Sequence, residues 1–195
     1  MTVEAPATMD PRSLPIHKDG LVVVVVETPR DSGAKFKFDA ELGAYRLDRV
    51  LPAGLAFPFD FGFIPGTLAD DGDPLDVIVL MESPVPQGCV VLARLIGVLE
   101  AEQQDGGVGQ WKRNDRIVGV AGGPKGHASA RALRDIDGFR LAAIGSFFGN
   151  YHALDGDGFR VVGRGGVRAA EAAIRRARMA FHRAQDPNGS ARESA

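Results

Sequence analysis

Hydrophobic side chains in the first 120 residues occur in short blocks that predict strands. Residues 21–27 form an almost unbroken β-branched block, which predicts a strand buried on both faces. Residues 35–39 alternate polar with apolar positions, and residues 45–51 alternate less cleanly after Gly43, a pattern typical of a half-buried hairpin. The remaining apolar blocks that predict strands cover residues 77–81, 89–99 and 111–120, the last two joined by a glycine-rich turn.

Two later stretches carry apolar positions at helical spacing. The first contains Leu141, Ile144 and Phe148, with Asp137 upstream in a possible cap region. The second repeats apolar residues at alternating steps of three and four between residues 167 and 181, with arginines on its open face. Strands therefore precede helices, and this order predicts an α+β fold, mainly β, in which helices cover one side of an antiparallel sheet or small barrel.

Length and composition predict one domain with two tails. The 195 residues are 45% hydrophobic and 25% charged, which is ordinary for a globular protein that buries a core. We expect a flexible tail over residues 1–19, a folded domain over residues 20–184 and a disordered tail over residues 185–195. The net charge of −2 gives no reason to expect a nucleic-acid partner, and no apolar run is long enough for a membrane span. A single cysteine excludes an intramolecular disulfide and fits a cytoplasmic location.

Residues 70–76 hold four carboxylates, and they lead directly into the predicted strand at residues 77–81. Composition alone favours a solvated turn by about two to one, because Asp, Gly and Pro are common turn residues. The alternative is a magnesium site that uses Asp71, Asp73 and Asp76 as ligands or bases. Asp76, at the rigid start of a strand, is the best placed to bridge two ions.

Phosphate chemistry at such a site would also need cations. Lys35 and Lys37 alternate onto one face of a predicted strand, and Arg49 lies on the next strand. Taken alone, each is more often an ordinary surface charge, by about three to one on general tendency.

The chain resembles the soluble family I inorganic pyrophosphatases over about residues 20–184. The central motif is Asp-Gly-Asp-Pro-Leu-Asp-Val at residues 71–77. The flanking pieces that carry the resemblance are residues 22–29, 35–39, 48–49, 57–58, 61–65, 97–99, Arg116 and residues 147–151. The resemblance implies a five-stranded OB-type barrel with two C-terminal helices packed outside. It also implies Mg²⁺-dependent hydrolysis of pyrophosphate to two phosphates, and a homo-oligomer that in a bacterial setting is a hexamer.

The resemblance further implies roles for individual residues. Asp71, Asp76 and Glu27 match metal ligands, and Asp73 matches the carboxylate that deprotonates the attacking water. Tyr151 matches a catalytic and phosphate-binding position. The other implied phosphate-binding residues are Lys35, Arg49 and Arg116, the last standing where the family usually has a lysine.

Several positions depart from the family pattern. Lys37 replaces a glutamate, Phe57 and Phe61 replace tyrosines, Gln103 replaces an aspartate and His152 replaces a lysine. Either Asn114 or Asp115 falls where a further metal-binding aspartate is expected, and Asp115 would restore that ligand. Because Lys37 and Gln103 make the pocket less negative, we expect weaker binding of the additional metal ions. Two alternatives to the pyrophosphatase remain: a hydrolase of another phosphoanhydride, and a non-catalytic OB-type protein.

Overall fold

The computed structural model describes residues 10–122 and 130–186. The strands in this part of the chain are β1 (His17–Lys18), β2 (Leu21–Thr28), β3 (Ala34–Asp39), β4 (Ala44–Val50), β5 (Asp60–Phe63), β6 (Asp76–Leu80), β7 (Val90–Gln104), β8 (Lys112–Arg113), β9 (Arg116–Ala121) and β10 (Gly158–Gly165). The helices are α1 (Gly138–Ala153) and α2 (Val167–Gln185), with short 3-10 turns at Pro11–Ser13, Asp105–Gly107 and Leu133–Asp135.

Five strands close into a ring in the order β2, β5, β6, β9 and β7, and β7 pairs back onto β2. All neighbours in the ring run antiparallel except β6 and β9, which are parallel. The strands β3 and β4 form the predicted hairpin as a separate two-stranded sheet. The predicted mainly β, OB-type barrel with two outer helices is thus confirmed.

Successive side chains of the ring strands point to opposite faces and pack into two separate hydrophobic cores. Val77 and Val79 of β6 pack in one core with Val22, Val24 and Val26 of β2 and with α2. Ile78, which points the other way, packs in the second core with the aromatic side chains of β5 and α1. The block at residues 21–27 is buried throughout apart from a half-buried Leu21, as predicted for a strand covered on both faces.

Gly62 allows β5 to approach β2 closely. A Cβ atom at this position would lie 1.9 Å from the carbonyl oxygen of Val25. Only a residue without a side chain fits here, so this glycine is required for the closed ring.

Both predicted helices are confirmed. The Asp137 carboxylate caps α1 by accepting hydrogen bonds from the backbone N–H groups of Phe139 and Arg140. Helix α2 buries Ala170, Ile174 and Ala177. Within the described ranges, neither helix nor any 3-10 turn has the length and apolar character that a bilayer crossing requires.

The predicted N-terminal tail of residues 1–19 contains regular structure in its second half. Pro11–Ser13 forms a 3-10 turn capped by the Asp10 side chain, and β1 pairs with β2. The backbone N–H of Gly66 donates to the carbonyl oxygen of Arg12 at 3.0 Å, which ties this segment to the barrel. Residues 1–9 and 187–195 lie outside the described residues, and residue 185 still belongs to α2.

The segment at residues 163–166 contains three glycines but belongs largely to a strand. Its residues 163–165 form the end of β10, which pairs antiparallel with β7 and has an irregular register between Val161 and Gly163. The carboxylate of Glu100 on β7 would lie 2.4 Å from a Cβ atom at Gly163. At Gly165 a Cβ atom would lie 2.8 Å from Cγ1 of Val98 on β7, so this glycine is required by close packing within the sheet.

Candidate active site

A cavity of about 430 Å³ opens at one end of the barrel and gathers nearly all the predicted site residues. It lies between the end of β2, the β3–β4 hairpin, the acidic loop before β6, the tips of β7 and β8, and the C-terminal end of α1. The predicted residues that line it are Glu27, Lys35, Lys37, Arg49, Phe61, Asp71, Asp73, Asp76, Gln103, Asn114, Arg116, Tyr151 and His152. The exposed Asp70 is not among them, so the loop directs three of its four carboxylates into the cavity.

The acidic loop is held in shape by its own backbone. The Asp73 N–H donates to the Asp71 carboxylate at 3.1 Å, and the Ala69 N–H donates to the Asp73 carbonyl oxygen at 2.8 Å. Below the loop, the buried Thr67 hydroxyl accepts from the N–H of Leu75 at 2.9 Å. These bonds orient the Asp71 carboxylate and fix the backbone at Asp73.

Two carboxylates of the cavity have raised pKa values. Burial, and then the negative charge of Asp76, raises the pKa of Asp71. Burial raises the pKa of Glu27 to about 7; the charge of Asp76 adds to this, and a 2.7 Å hydrogen bond from the Phe38 N–H opposes it. Glu27 and Asp71 therefore lie close enough to Asp76 to feel its charge, as expected of ligands that share a cation.

The carboxylates of Asp73 and Asp76 are each paired with a cation. The Lys37 ammonium lies 2.9 Å from an Asp73 carboxylate oxygen. Burial alone would lower the pKa of Lys37, but the hydrogen bond and the charge of Asp73 outweigh it and the pKa is raised. The Arg116 guanidinium lies 2.8 Å from an Asp76 carboxylate oxygen.

Asn114, and not Asp115, faces the cavity. The Asn114 side chain donates to the Gln103 amide oxygen at 2.6 Å and accepts from the Arg116 guanidinium. Asp115 is buried outside the cavity, where its carboxylate accepts from the Ala101 N–H at 3.2 Å and from Arg113 Nε at 2.8 Å. Both Asp115 oxygens thus serve the β7–β8 hairpin, and its assignment as a metal ligand stays a prediction that this orientation does not favour.

The predicted phosphate-binding cations gather around one aromatic ring. The Lys35 ammonium lies 5.3 Å from the centre of the Tyr151 ring, and the Arg49 guanidinium lies 4.9 Å from it. Lys35 also approaches Asp48 at 3.7 Å, while Arg49 pairs with Asp155. An anion that enters here would have to displace these carboxylate partners.

The substituted aromatic and histidine positions place uncharged rings next to Tyr151. Phe57 and Phe61 are buried in the core around Tyr151, so the cavity lacks the two hydroxyls that tyrosines would bring. His152 stacks on Phe159 with the ring centres 5.0 Å apart. Burial, followed by the charges of Arg116 and other cations, lowers the pKa of His152 to about 3. His152 is therefore neutral at pH 7 and supplies no charge to bind phosphate.

Sequence reasoning missed several charged residues of the cavity. Arg12 lines it, although it falls in the predicted flexible tail. The pattern Asp10-Pro11 is a signal that could have revealed an ordered turn at this point, since Asp is a common N-cap and Pro a common first helical residue. Another missed residue is Asp48, which belongs to the piece 48–49 that carries the resemblance. The remaining ones are Asp105, Lys112, Arg113, Asp155 and Asp157, which carry no distinguishing motif.

The oxygen ligands of the cavity fit Mg²⁺. Within residues 10–122 and 130–186, no three His, Cys, Asp or Glu side chains form a preassembled metal cluster. Mg²⁺ needs only one or two carboxylates, because waters and substrate phosphates fill its other positions. Glu27, Asp71 and Asp76 provide such carboxylates, and the repulsion that Asp76 exerts on the other two is what a bound cation relieves.

Comparisons with known proteins point to one family. The family described as "Inorganic pyrophosphatase" matches residues 24–182. The inorganic pyrophosphatase of Synechocystis sp. is 41% identical over 148 residues, which cover 75% of this chain and 84% of that protein. That of Thermus thermophilus is 37% identical over 174 residues, 88% of this chain and 96% of the relative. The crystal structure of the inorganic pyrophosphatase from Thermus thermophilus superposes with a TM-score of 0.80 at 35% identity, covering 89% of this chain and 99% of that one.

Proposed function

The chain belongs to the inorganic pyrophosphatase family, and from this premise we propose that the cavity described above hydrolyses inorganic pyrophosphate to two phosphates with Mg²⁺ as its metal. The observation that carries the proposal is the convergence of three loop carboxylates and the cations around Tyr151 on one cavity. Carboxylates bind metal ions and cations bind phosphate oxygens, so one half of the cavity would bind the metal and the other half would bind the substrate.

We assign the metal to the carboxylate side. Asp71, Asp76 and Glu27 would hold Mg²⁺, through oxygen ligands of the kind it prefers. When bound, such ions make a nucleophilic hydroxide available at neutral pH and neutralise the negative charge that develops on the leaving phosphate.

Asp73 would act as the general base. Its backbone N–H is bonded to Asp71, so its carboxylate is held next to the metal-binding groups. The Lys37 ammonium on its other side fixes its orientation. A carboxylate so held can accept the proton of the attacking water.

The guanidinium and ammonium groups would position pyrophosphate. Lys35, Arg49 and Tyr151 form one group, and Arg116 extends towards the same cavity from β9. Phosphoryl transfer depends mostly on positioning and on stabilisation of charge, which is what these side chains offer. Tyr151 is 4% exposed and packed among phenylalanines, so its ring is a rigid support for both cations.

Assembly and location belong to the proposal as well. The family resemblance supports a homo-oligomer, with a hexamer as the expected state, in the cytoplasm. The single chain leaves Phe139 84% exposed and Val50 67% exposed, and association would cover such side chains. Light scattering on the full chain measures the assembly directly, and a monomeric mass would contradict the proposal.

The assignment of the loop is tested by comparing two carboxylates within it. Phosphate release from pyrophosphate is measured with Mg²⁺ and with a chelator, for the wild type, Asp76→Asn and Asp70→Asn. We expect Asp76→Asn to lose about a hundredfold or more in kcat, because a group that supports the metal and the reacting oxygens is removed. Asp70→Asn, which changes a carboxylate outside the cavity, should remain within about twofold of the wild type. Equal losses in the two variants would show that the cavity is wrongly assigned.

A further inference from the structure

Two basic side chains form ion pairs with carboxylates of the acidic segment at residues 70–76. The Lys37 ammonium lies 2.9 Å from Asp73, and the Arg116 guanidinium lies 2.8 Å from Asp76. Each carboxylate is a group that a divalent cation would otherwise have to neutralise. The chain itself therefore provides positive charge at two points of the cavity where metal ions would supply it.

The Arg116 pair is built into the core. The Arg116 side chain is 4% exposed, and its guanidinium lies 5.1 Å from the ring centre of Phe148 and 5.6 Å from that of Phe159. The same guanidinium donates to the Asn114 side chain, so it joins Asn114 to Asp76. A planar cation held between aromatic rings cannot swing away as a surface lysine can.

The Lys37 pair lies at the cavity mouth and is more accessible. The side chain of Lys37 is 34% exposed and that of Asp73 is 55% exposed. Lys37 belongs to β3, in the two-stranded sheet outside the ring, so its side chain can be changed without disturbing the barrel core. This pair is the one that an experiment can open.

The whole cavity has nearly equal numbers of acidic and basic side chains. Its acidic residues are Glu27, Asp48, Asp71, Asp73, Asp76, Asp105, Asp155 and Asp157. Its basic residues are Arg12, Lys35, Lys37, Arg49, Lys112, Arg113 and Arg116. Eight carboxylates thus face seven permanent cations before any metal binds, which leaves little uncompensated negative charge to attract several divalent ions.

We propose that Lys37 is a resident cation that takes the place of part of the divalent-metal complement by competing directly against a metal ion for Asp73. The inference rests on the proposed function, since it concerns how many metal ions that cavity needs. In this arrangement Glu27, Asp71 and Asp76 attract the metal, while the charge of Asp73 is partly neutralised by Lys37.

The test measures metal binding without substrate or turnover. Mn²⁺, as a paramagnetic probe for Mg²⁺, is titrated into the full chain, and free Mn²⁺ is read by electron paramagnetic resonance. We expect Lys37→Met to lower the Kd for Mn²⁺ by about tenfold or more, because removal of a unit charge beside the carboxylate acts on a doubly charged ion. Arg160→Met is the matched control: Arg160 pairs with Glu102 at 2.7 Å and lies outside the cavity, so its loss should change the Kd by less than about twofold.

A second background shows whether Lys37 acts through Asp73. In an Asp73→Asn chain, the further change Lys37→Met should shift the Kd for Mn²⁺ by less than about threefold, because the shared carboxylate is gone. Three results would overturn the inference. They are an unchanged Kd in Lys37→Met, no Mn²⁺ binding by the wild type or Lys37→Met, and a shift in the Asp73→Asn background as large as that in the wild-type background. The proposed function is judged separately, since a wild type that releases no phosphate from pyrophosphate would refute it whatever the Mn²⁺ titration shows.

Discussion

At the scale of single residues, the pair Asn114 and Asp115 shows how one position decides what a cavity binds. Asn114 faces Arg116 and Gln103 inside the cavity, whereas the Asp115 carboxylate is bonded outside it. A carboxylate at position 114 would therefore add negative charge next to Asp76. The same change at position 115 would not reach the cavity.

We predict that Asn114→Asp lowers the Mg²⁺ concentration for half-maximal pyrophosphate hydrolysis by about threefold or more, because one more carboxylate attracts the metal. The measurement is phosphate release over a Mg²⁺ series. Asp115→Asn serves as the comparison: its Mg²⁺ requirement should stay the same, while its free energy of unfolding falls by about 1 kcal/mol through the weakened bond to Arg113. A Mg²⁺ requirement that changes only in Asp115→Asn would contradict the observed orientation.

His152 gives a prediction about acid stability. Its pKa is about 3 in the folded chain, against 6.5 for an unperturbed histidine. Between these values the unfolded chain binds a proton here and the folded chain does not, so the free energy of unfolding falls as the pH drops, by up to about 1.4 kcal/mol per pH unit. Above pH 6.5 this residue contributes no pH dependence.

We therefore expect His152→Phe, which cannot bind the proton, to lose this part of the acid sensitivity. Urea unfolding of both proteins at about pH 6.5 and about pH 5.5 should show a drop for the wild type that is larger by about 1 kcal/mol. Carboxylates titrate equally in both proteins and cancel in the comparison. Parallel drops would mean that His152 takes up its proton within the folded protein.

Much of the residue-scale cavity could be predicted from the sequence, and the choice between Asn114 and Asp115 could have been narrowed. Side chains two positions apart share a face of an extended chain, so the expectation that Arg116 enters the cavity already favoured Asn114 over Asp115. The ion-pair partners of Lys37 and Arg116 could not be predicted. Lys37 pairs with Asp73, which lies 36 residues further along the chain, and Arg116 of β9 pairs with Asp76 of β6. Such contacts depend on how strands are paired.

At the scale of elements, the contact between β5 and β2 is the most restrictive. Gly62 faces the backbone of Val25 with no space for a side chain. This is one of four antiparallel pairings in the ring, and it admits no residue larger than glycine at position 62.

We predict that Gly62→Ala lowers the free energy of unfolding by about 3 kcal/mol or prevents folding, because overpacking against backbone cannot be relieved by a rotamer change. Gly149→Ala is the matched control, since Gly149 lies in α1 with open space where a Cβ would stand. It should stabilise the protein by about 0.5–1 kcal/mol, because alanine restricts the unfolded chain. Thermal unfolding measures both, and an unchanged midpoint in Gly62→Ala would refute the packing argument.

The elements that sequence patterns predicted are those with clear periodicity. The hairpin of β3 and β4 and both helices were found, because alternation and 3.6-residue spacing reflect which side of each element is buried. Strand β10 was missed because its glycines resemble loop residues. One of these glycines is required by the neighbouring strand β7, whose Val98 side chain occupies the space beside Gly165.

At the scale of the whole molecule, strand β7 connects every part of the sheet. Its 15 residues pair with β2, β8, β9 and β10, so it closes the ring at one end and carries Gln103 of the cavity at the other. The single tryptophan, Trp111, lies beside β8 and stacks under Arg160 at 4.1 Å. It therefore reports on the end of β7 that is farthest from the ring closure.

We expect urea unfolding followed by Trp111 fluorescence and by far-UV circular dichroism to give the same midpoint at a fixed protein concentration. The reason is that a strand shared by the ring and the hairpin makes their unfolding cooperative. A fluorescence midpoint at lower urea would mean that the β7–β8 hairpin opens independently of the barrel.

The fold class could be predicted at this scale, but the strand order could not. Strands followed by helices limit the architecture to a few layered arrangements, and the resemblance selected the OB-type barrel among them. The sequences of β6 and β9 do not predict that the two strands pair in parallel. Each strand could bury the same side chains beside a different neighbour.

The ion pair between Lys37 and Asp73 also bears on how the protein responds to its surroundings. Charge that is fixed in the polypeptide is present at any concentration of dissolved magnesium, whereas charge supplied by ions disappears when the cell's free magnesium falls. On the proposal above, a protein that carries this charge in its own chain would need fewer dissolved ions to neutralise Asp73, but it would hold each remaining ion more weakly.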